Sequence, residues 1–385
     1  MTDGCIEWVT EEQAEFHRSV VRFALALPQE DVARRDRAAE FWREGWDRCA
    51  AVGLPGLPVP ECYGGAGADI VATMLALEAL GYGCHDGGLV FSLNAHLWSS
   101  VVPLWLHGTD EQRDRWLPGL CKGDLIGSHA ITEPEAGSDA FALRTRAVPS
   151  NGGFMLNGRK MFITNAPVAD LMVIFARTKD ALGPFGISAF VVERGTPGFC
   201  VEHPIDKMGL RTSPMSEVVL EDCHVPREAV LGGMDRGANV FDTAMRWERA
   251  CIMASQVGVM RRTMESCARY ARQRRQFGQA IGKFQAVADK IVNMKIALDA
   301  SRLLVLRTGW LMDHGHDALV EAAIAKAFVA EASVRTHLDA IQIHGGYGYA
   351  TDTGIERQLR DAVGGTIYSG TSEIQRLIIA RSLSL

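Results

Sequence analysis

Four places in this chain carry residue types and spacings suited to chemistry. Thr132-Glu133-Pro134-Glu135-Ala136-Gly137-Ser138-Asp139 is a run of small, hydroxylated and acidic residues that can approach a ligand closely, although the same composition also serves an ordinary turn. Arg274 and Arg275, taken alone, read as a solvated charge pair on a helix end, and Gly345-Gly346 as a helix C-cap. Glu248, beside Arg249, reads by default as an exposed helical carboxylate paired with a neighbour. Shielded from water, the same carboxylate becomes a base, because burial raises a carboxyl pKa toward working pH.

The elements that must position these residues follow from periodicity. Thr10 and Gln13 form a capping box ahead of Phe16, Val20, Phe23 and Leu27, which recur on one helical face. Further helices are expected around 39–52, 68–82, 93–107 and 110–121, with a Pro- and Gly-rich connection from Pro55 to Gly67. From about 126 to 235 the texture changes to short β-branched and aromatic runs, among them Leu171–Arg177 and Ile187–Val192. Asn157-Gly158, between Phe154-Met155-Leu156 and Met161-Phe162-Ile163, predicts a hairpin turn there. After about 236 the helical period returns: Phe284, Val287, Ile291, Met294 and Leu298 mark the seam of a bundle helix, and another helix is expected over 317–343. The expected domains are therefore a helical 1–125, a β domain 126–235 and a helical bundle 236–385.

Composition narrows the function classes. At 385 residues the chain is long enough for several packed domains and a large buried site. A formal net charge of -6 leaves no basic excess for a polyanion, so no nucleic-acid partner is expected. The nine cysteines are scattered singly, as in reduced cytosolic proteins. No signal-peptide pattern and no uninterrupted apolar run long enough to span a bilayer is read, so a cytoplasmic protein with no membrane partner is expected, and no metal site is expected.

The motifs, taken in order, resemble those of the acyl-CoA dehydrogenase family. Thr132–Asp139 is similar to its T-E-P-x-A-G-S-D signature, and Lys160-Met161-Phe162-Ile163-Thr164-Asn165 to its K-x-W/F-I-T-N strand. Arg274–Gly278 with Phe284-Gln285 resembles R-x-x-F-G…Q, Gln342–Gly348 resembles Q-x-x-G-G-x-G, and Tyr368–Glu373 occupies the closing Y-x-G-T-S motif. The resemblance implies an N-terminal α-helical domain, a central β-barrel-like domain and a C-terminal four-helix bundle, with FAD as cofactor and a homotetramer as the common assembly. It also implies cofactor contacts for Ile131, Thr132, Gly137, Ser138, Phe162 and Thr164, with Phe162 covering the isoalloxazine and Thr164 reaching toward N5. Arg274, Phe277, Gln285, Gln342, Gly345 and Gly346 would grip the cofactor across a subunit interface, and Thr371 and Glu373 would complete the flavin site.

The family's reaction needs a base for the hydrogen beside a thioester. Many members place a glutamate in the closing motif, where this chain has Ser369, and a serine hydroxyl is too weak a base. In the isovaleryl-CoA and long-chain branches the base sits in an E-R pair on an earlier helix, which Glu248-Arg249 resembles, so the resemblance assigns Glu248 as catalytic base. Ser138, Arg249, Tyr368, Ser369 and Gly370 are the expected substrate contacts.

Arg246 stands where many CoA-using members carry aspartate. Phe91–Leu97, Phe162–Pro167 and Ile367–Thr371 look like the natural-product branch that includes prolyl-carrier-protein dehydrogenases. The leading expectation is α,β-dehydrogenation of an acyl or aminoacyl thioester on a carrier protein. A local basic face involving Arg246 or Arg249 would meet the acidic carrier, and an electron-transfer flavoprotein or oxygen would accept the electrons. Alternatives are a short- or branched-chain acyl-CoA dehydrogenase, an oxidase or oxygenase on the same fold, and a scaffold without chemistry.

Overall fold

In the computed structural model, residues 8–181 and 183–385 are described. The chain begins with helices α1 (Glu11–Leu25), α2 (Val32–Ala38), α3 (Arg43–Ala51), α4 (Ile70–Gly83), α5 (Gly87–His96), α6 (Val102–His107) and α7 (Asp110–Lys122). The Thr10 capping box that begins α1 is present, with Gln13 N donating to Thr10 Oγ1 and Thr10 N to Gln13 Oε1. Helix α4 is apolar on nearly every side and therefore lies in the interior, with Met74, Leu75, Leu77 and Leu80 buried.

Between α5 and α6 the helix widens into a π turn, Leu97–Val101, immediately before Pro103, which has no N–H to give an ordinary turn. The continuous run Gly87–His107 is 21 residues long and apolar enough to cross a bilayer, which corrects the expectation that no such run exists. Most of it is buried against the rest of the protein, as befits a core helix.

The middle of the chain forms β1 (Gly127–Ala130), β2 (Arg146–Ser150), β3 (Gly153–Thr164), β4 (Leu171–Arg177), β5 (Ile187–Glu193), β6 (Phe199–Pro204), β7 (Met215–Pro226) and β8 (Val230–Leu231). They make one sheet in the order β6-β7-β3-β2-β4-β5-β8, with β1 added parallel to β4. The sheet curls on itself: Phe154 of β3 and Phe190 of β5, with two strands between them in that order, bring their rings to 5.4 Å in a shared core with Ile174 and Val218.

The Asn157-Gly158 hairpin is not there. β3 runs straight through it, and the turn falls at Asn151-Gly152, where both residues adopt positive φ (46° and 79°) between the paired Ser150 and Gly153. Packing decides the other dipeptide. A Cβ on Gly158 would stand 2.4 Å from Thr145 Oγ1, and the Asn157 side chain bonds the backbone and carboxylate of Asp222.

The last part is helical: α8 (Gly237–Gln273), a small hairpin β9 (Arg275–Gln276) and β10 (Gln279–Ala280), then α9 (Gln285–Asp313), α10 (Leu319–His344), α11 (Gly346–Tyr349), α12 (Ile355–Gly364) and α13 (Ser372–Ser382). Met294 and Leu298 of the predicted seam are buried with Met253, Val257 and Val329, while α4 packs into the same core. Val292, Ile296 and Leu303 of α9 leave a second apolar face exposed.

Candidate active site

Glu248 on α8 faces the turn that precedes α13. Ser369 Oγ donates to Glu248 Oε1 at 2.6 Å, whereas Glu248 Oε2 is buried without a hydrogen-bond partner among the described residues. Burial raises the Glu248 pKa above the ordinary carboxylate range, against the Ser369 hydrogen bond and the charges of Arg249 and Lys326, which lower it.

Ser369 and Gly370 both adopt positive φ, 58° and 83°. That conformation is costly for a serine, and their carbonyls are tied down to hold it. Ser369 O accepts from Arg249 Nε (3.4 Å) and Gln375 Nε2 (3.2 Å); Gly370 O accepts from Lys326 Nζ (2.7 Å) and Gln375 Nε2 (2.8 Å). Tyr368 packs its ring 4.7 Å from that of Phe91 on α5, and burial pushes its hydroxyl well above the usual range.

A second group of expected residues gathers where the β1 end meets β3. Met161 N donates to Thr132 O (2.9 Å), which lays the Thr132–Asp139 loop against β3. Glu133 anchors that loop by accepting from Arg144 N, Thr145 N, Thr145 Oγ1 and the wholly buried Lys160 Nζ at 2.7 Å. Burial alone would raise the Glu133 carboxyl, but Lys160 and these donors hold it below its ordinary value, while burial brings Lys160 down to about 8.

The β3–β7 register slips between Lys160 and Ile163, and at this bulge Phe162 takes φ 60° and stands 54% exposed. Ile131 is buried, Thr132 and Thr164 are half-buried, and Gly137 and Ser138 are exposed. An open aromatic face with hydroxyls nearby suits a flat, hydrogen-bonding ring system.

The third group lies elsewhere. Arg274 caps α8, Phe277 is 92% exposed at the tip of the β9–β10 hairpin, and Gln285 begins α9. The stacked rings of Tyr270 and His344, 4.2 Å apart, bring Gln342, Gly345 and Gly346 to this same end. About 39 Å of one helix, at 1.5 Å per residue, separates Glu248 from Arg274. Thr371 caps α13 by accepting from Ile374 N (3.3 Å), and Glu373 is exposed in its first turn.

The free basic face is not found at Arg246 or Arg249. Arg246 is paired with Asp242 (2.7 Å) and Asp317 (2.9 Å), and Arg249 turns in toward Ser369 O. Sequence reasoning also missed Lys326 and Gln375. Lys326 left a signal: a lone charge within the alanine-rich Ala322–Ala327.

A buried carboxylate on the helical bundle and an open aromatic on the curled sheet are parts suited to a dehydrogenase, and comparison with known proteins gives the family. The chain belongs to the acyl-CoA dehydrogenase family, whose N-terminal, middle and C-terminal domains match residues 10–124, 128–223 and 235–384. It is 44% identical to an L-prolyl-[peptidyl-carrier protein] dehydrogenase of Pseudomonas fluorescens, over 90% of this chain and 91% of the relative. With the protein of the same name from a Serratia species it shares 40% identity over 98% of both chains. The crystal structure of the prolyl acyl carrier protein oxidase AnaB superposes with a TM-score of 0.96 at 45% identity, covering 98% of this chain and 100% of AnaB. PigA with FAD and proline gives the same score at 39% identity over 100% of both chains.

Proposed function

We propose that this protein is an FAD-dependent dehydrogenase that desaturates the α,β bond of an acyl or aminoacyl group, a prolyl group foremost, held as a thioester on a carrier protein. The observation that carries the reading is the Glu248–Ser369 pair: the closing turn offers a hydroxyl where an acid is often placed, and Glu248 is oriented against it. Because Oε1 is engaged by Ser369, Oε2 is the oxygen left to receive the α-proton. Burial makes that carboxylate a stronger base than an exposed one, and the surrounding side chains keep water away. FAD, when bound, accepts the hydride that leaves the β carbon.

Phe162, Thr132, Ser138 and Thr164 would hold the flavin ring and its neighbouring phosphates. The names of the relatives and the FAD and proline in PigA support cofactor and substrate alike. The distance from Glu248 to Arg274 supports a shared site: Arg274 at the far end of α8, with Gln342 of α10 and Gly346 of α11 gathered at that same end, is remote from Glu248 and is left to serve the cofactor of a second copy of the chain. The exposed apolar face of α9 gives such copies a surface to bury, in a dimer or tetramer. An electron-transfer flavoprotein or oxygen would take the electrons, and the free thiols of the eight described cysteines suit a reducing cytoplasm.

The test is anaerobic mixing of the yellow holoprotein with one prolyl group presented on a carrier protein and on CoA, with flavin bleaching followed. Faster bleaching by the carrier-bound form is expected; faster bleaching by the CoA form overturns the carrier assignment. Glu248→Gln should keep its flavin yet bleach slower by orders of magnitude, and bleaching at the parent rate would remove Glu248 from its role.

A further inference from the structure

Lys326 has no part in the chemistry described so far, yet it is wholly buried on α10 directly beneath the turn that orients Glu248. An ammonium in the interior is costly, so its retention asks for a job that a neutral residue could not do. Tethering the turn is not enough. Gln375 Nε2 already donates to both Ser369 O and Gly370 O, so a neutral amide covers those carbonyls. What Lys326 adds is a charge, placed one residue beyond the serine that bonds Glu248 and 5.9 Å from the ring of Tyr368, the residue before it.

We infer that Lys326 is a positioning residue for proton abstraction: through Gly370 it fixes Ser369 against Glu248, and its charge keeps the buried Glu248 ionised. The inference rests on Glu248 being the base. Burial raises the Glu248 pKa while Ser369, Arg249 and Lys326 lower it, and burial in turn brings Lys326 down to about 8, against the favourable charge of Glu248.

The other charges around the pair are accounted for. From α8, Arg249 opposes the Lys326 charge; its own cation is disfavoured by burial and by Arg246 and favoured by Glu248 and Asp242. From α10 and α13, Glu331 and Glu373 favour the lysine cation, and Tyr368 of the turn stays neutral because burial raises its pKa. Of these only Arg249 and Lys326 act as cations on Glu248, and Lys326 is the one tied to the Ser369-Gly370 turn by a short hydrogen bond.

The sign follows: with the cation gone, Glu248 holds its proton to higher pH, so the acidic limb of the pH–rate profile moves upward. The experiment is single-turnover anaerobic flavin bleaching by the carrier-bound prolyl group across pH, on the parent holoenzyme and on Lys326→Gln, Lys326→Met, Lys326→Arg and Glu248→Gln. Lys326→Gln keeps a donor for Gly370 without the charge and should shift the limb up by about one pH unit, the scale of one nearby charge. Lys326→Met should do the same with a lower plateau, and Lys326→Arg should return the limb to its parent position.

A limb unmoved in both neutral variants, whatever their plateau, makes Lys326 a packing residue and overturns the inference. Loss of bound flavin in both neutral variants, with Lys326→Arg retaining it, assigns the lysine to holding the fold and overturns it equally. Parent-like bleaching by Glu248→Gln defeats the assignment of the base itself, a different result from either.

Discussion

The Ser369 hydroxyl donates to Glu248 at 2.6 Å from a turn held in left-handed geometry by three side chains. Ser369 thus leaves Oε2 as the acting oxygen and stabilises the ionised form of the acid. Ser369→Ala removes one of the influences that lower the Glu248 pKa, so more of the enzyme carries a protonated base at a given acidic pH. Bleaching is expected to slow about tenfold below the limb, the scale of a hydrogen bond to a charged group, and to recover as pH rises. A pH–rate profile superimposable on the parent's would show that the hydroxyl does not act on the base.

Lys160 and Glu133 form a buried pair that fastens the Thr132–Asp139 loop to β3. Removing one partner of such a pair strands the other, so Lys160→Met should destabilise the fold by about 3–5 kcal/mol. Adding Glu133→Gln removes the stranded charge while keeping an acceptor for the Arg144 and Thr145 amides. The double variant should therefore recover much of the loss in thermal denaturation, with flavin absorbance reporting the loop. Additive losses in the two single variants and the double would contradict a coupled pair.

The start of α1, the bundle seam and the change to strands at the middle of the chain were legible because they depend on neighbours within a few residues. Asn151-Gly152 and Asn157-Gly158 could not be told apart that way: the choice is made by Thr145 and Asp222, which crowd and bond the second pair from other strands. Glu248 emerged from motif resemblance, since the spacing of one helical glutamate says nothing of what lies across from it. Its partners Lys326 and Gln375 are 78 and 127 positions onward in the chain, and their hydrogen bonds reach it through the turn at 369–370.

Asp361 on α12 joins three parts of the molecule. Its Oδ1 accepts from Leu210 N (2.5 Å), while its neighbour Arg360 pairs with Asp36 of α2 at 2.6 Å. Burial, with the nearby Asp36 charge, pushes the Asp361 carboxyl up to about 6 despite the Leu210 bond. A carboxyl whose folded pKa lies above its unfolded value, near 3.9, favours folding when protonated. That contribution is present at low pH and is lost as pH rises from about 4 to about 6. Asp361→Asn stays neutral and keeps an acceptor for Leu210, so the Tm of the variant minus that of the parent should climb across this window and level off above it. A difference that stays flat with pH would show that Asp361 titrates normally.

Glu248 and Arg274, at opposite ends of α8, offer a test of the assembly that needs no structure of it. If each flavin is held by Phe162 and served by Glu248 of one chain while Arg274 and Gln342 of a second chain close over it, the two lesions fall in different half-sites. Arg274→Ala alone should weaken FAD binding, and Glu248→Gln alone should abolish rapid bleaching with flavin retained. In a mixed assembly, one of the two sites pairs the intact Glu248 of one chain with the intact Arg274 of the other and carries neither lesion. Co-expressing the two variants with different affinity tags and isolating the doubly tagged species should therefore restore about half of the parent's rapid-bleaching amplitude per dimer, the fraction of sites left whole. Were Glu248 and Arg274 of one and the same chain to serve one flavin, every site in the mixed species would carry a single lesion, Glu248→Gln in one chain or Arg274→Ala in the other, and no whole site could form. Absence of any fast phase in a doubly tagged, flavin-bearing assembly would thus confine the cofactor to a single chain.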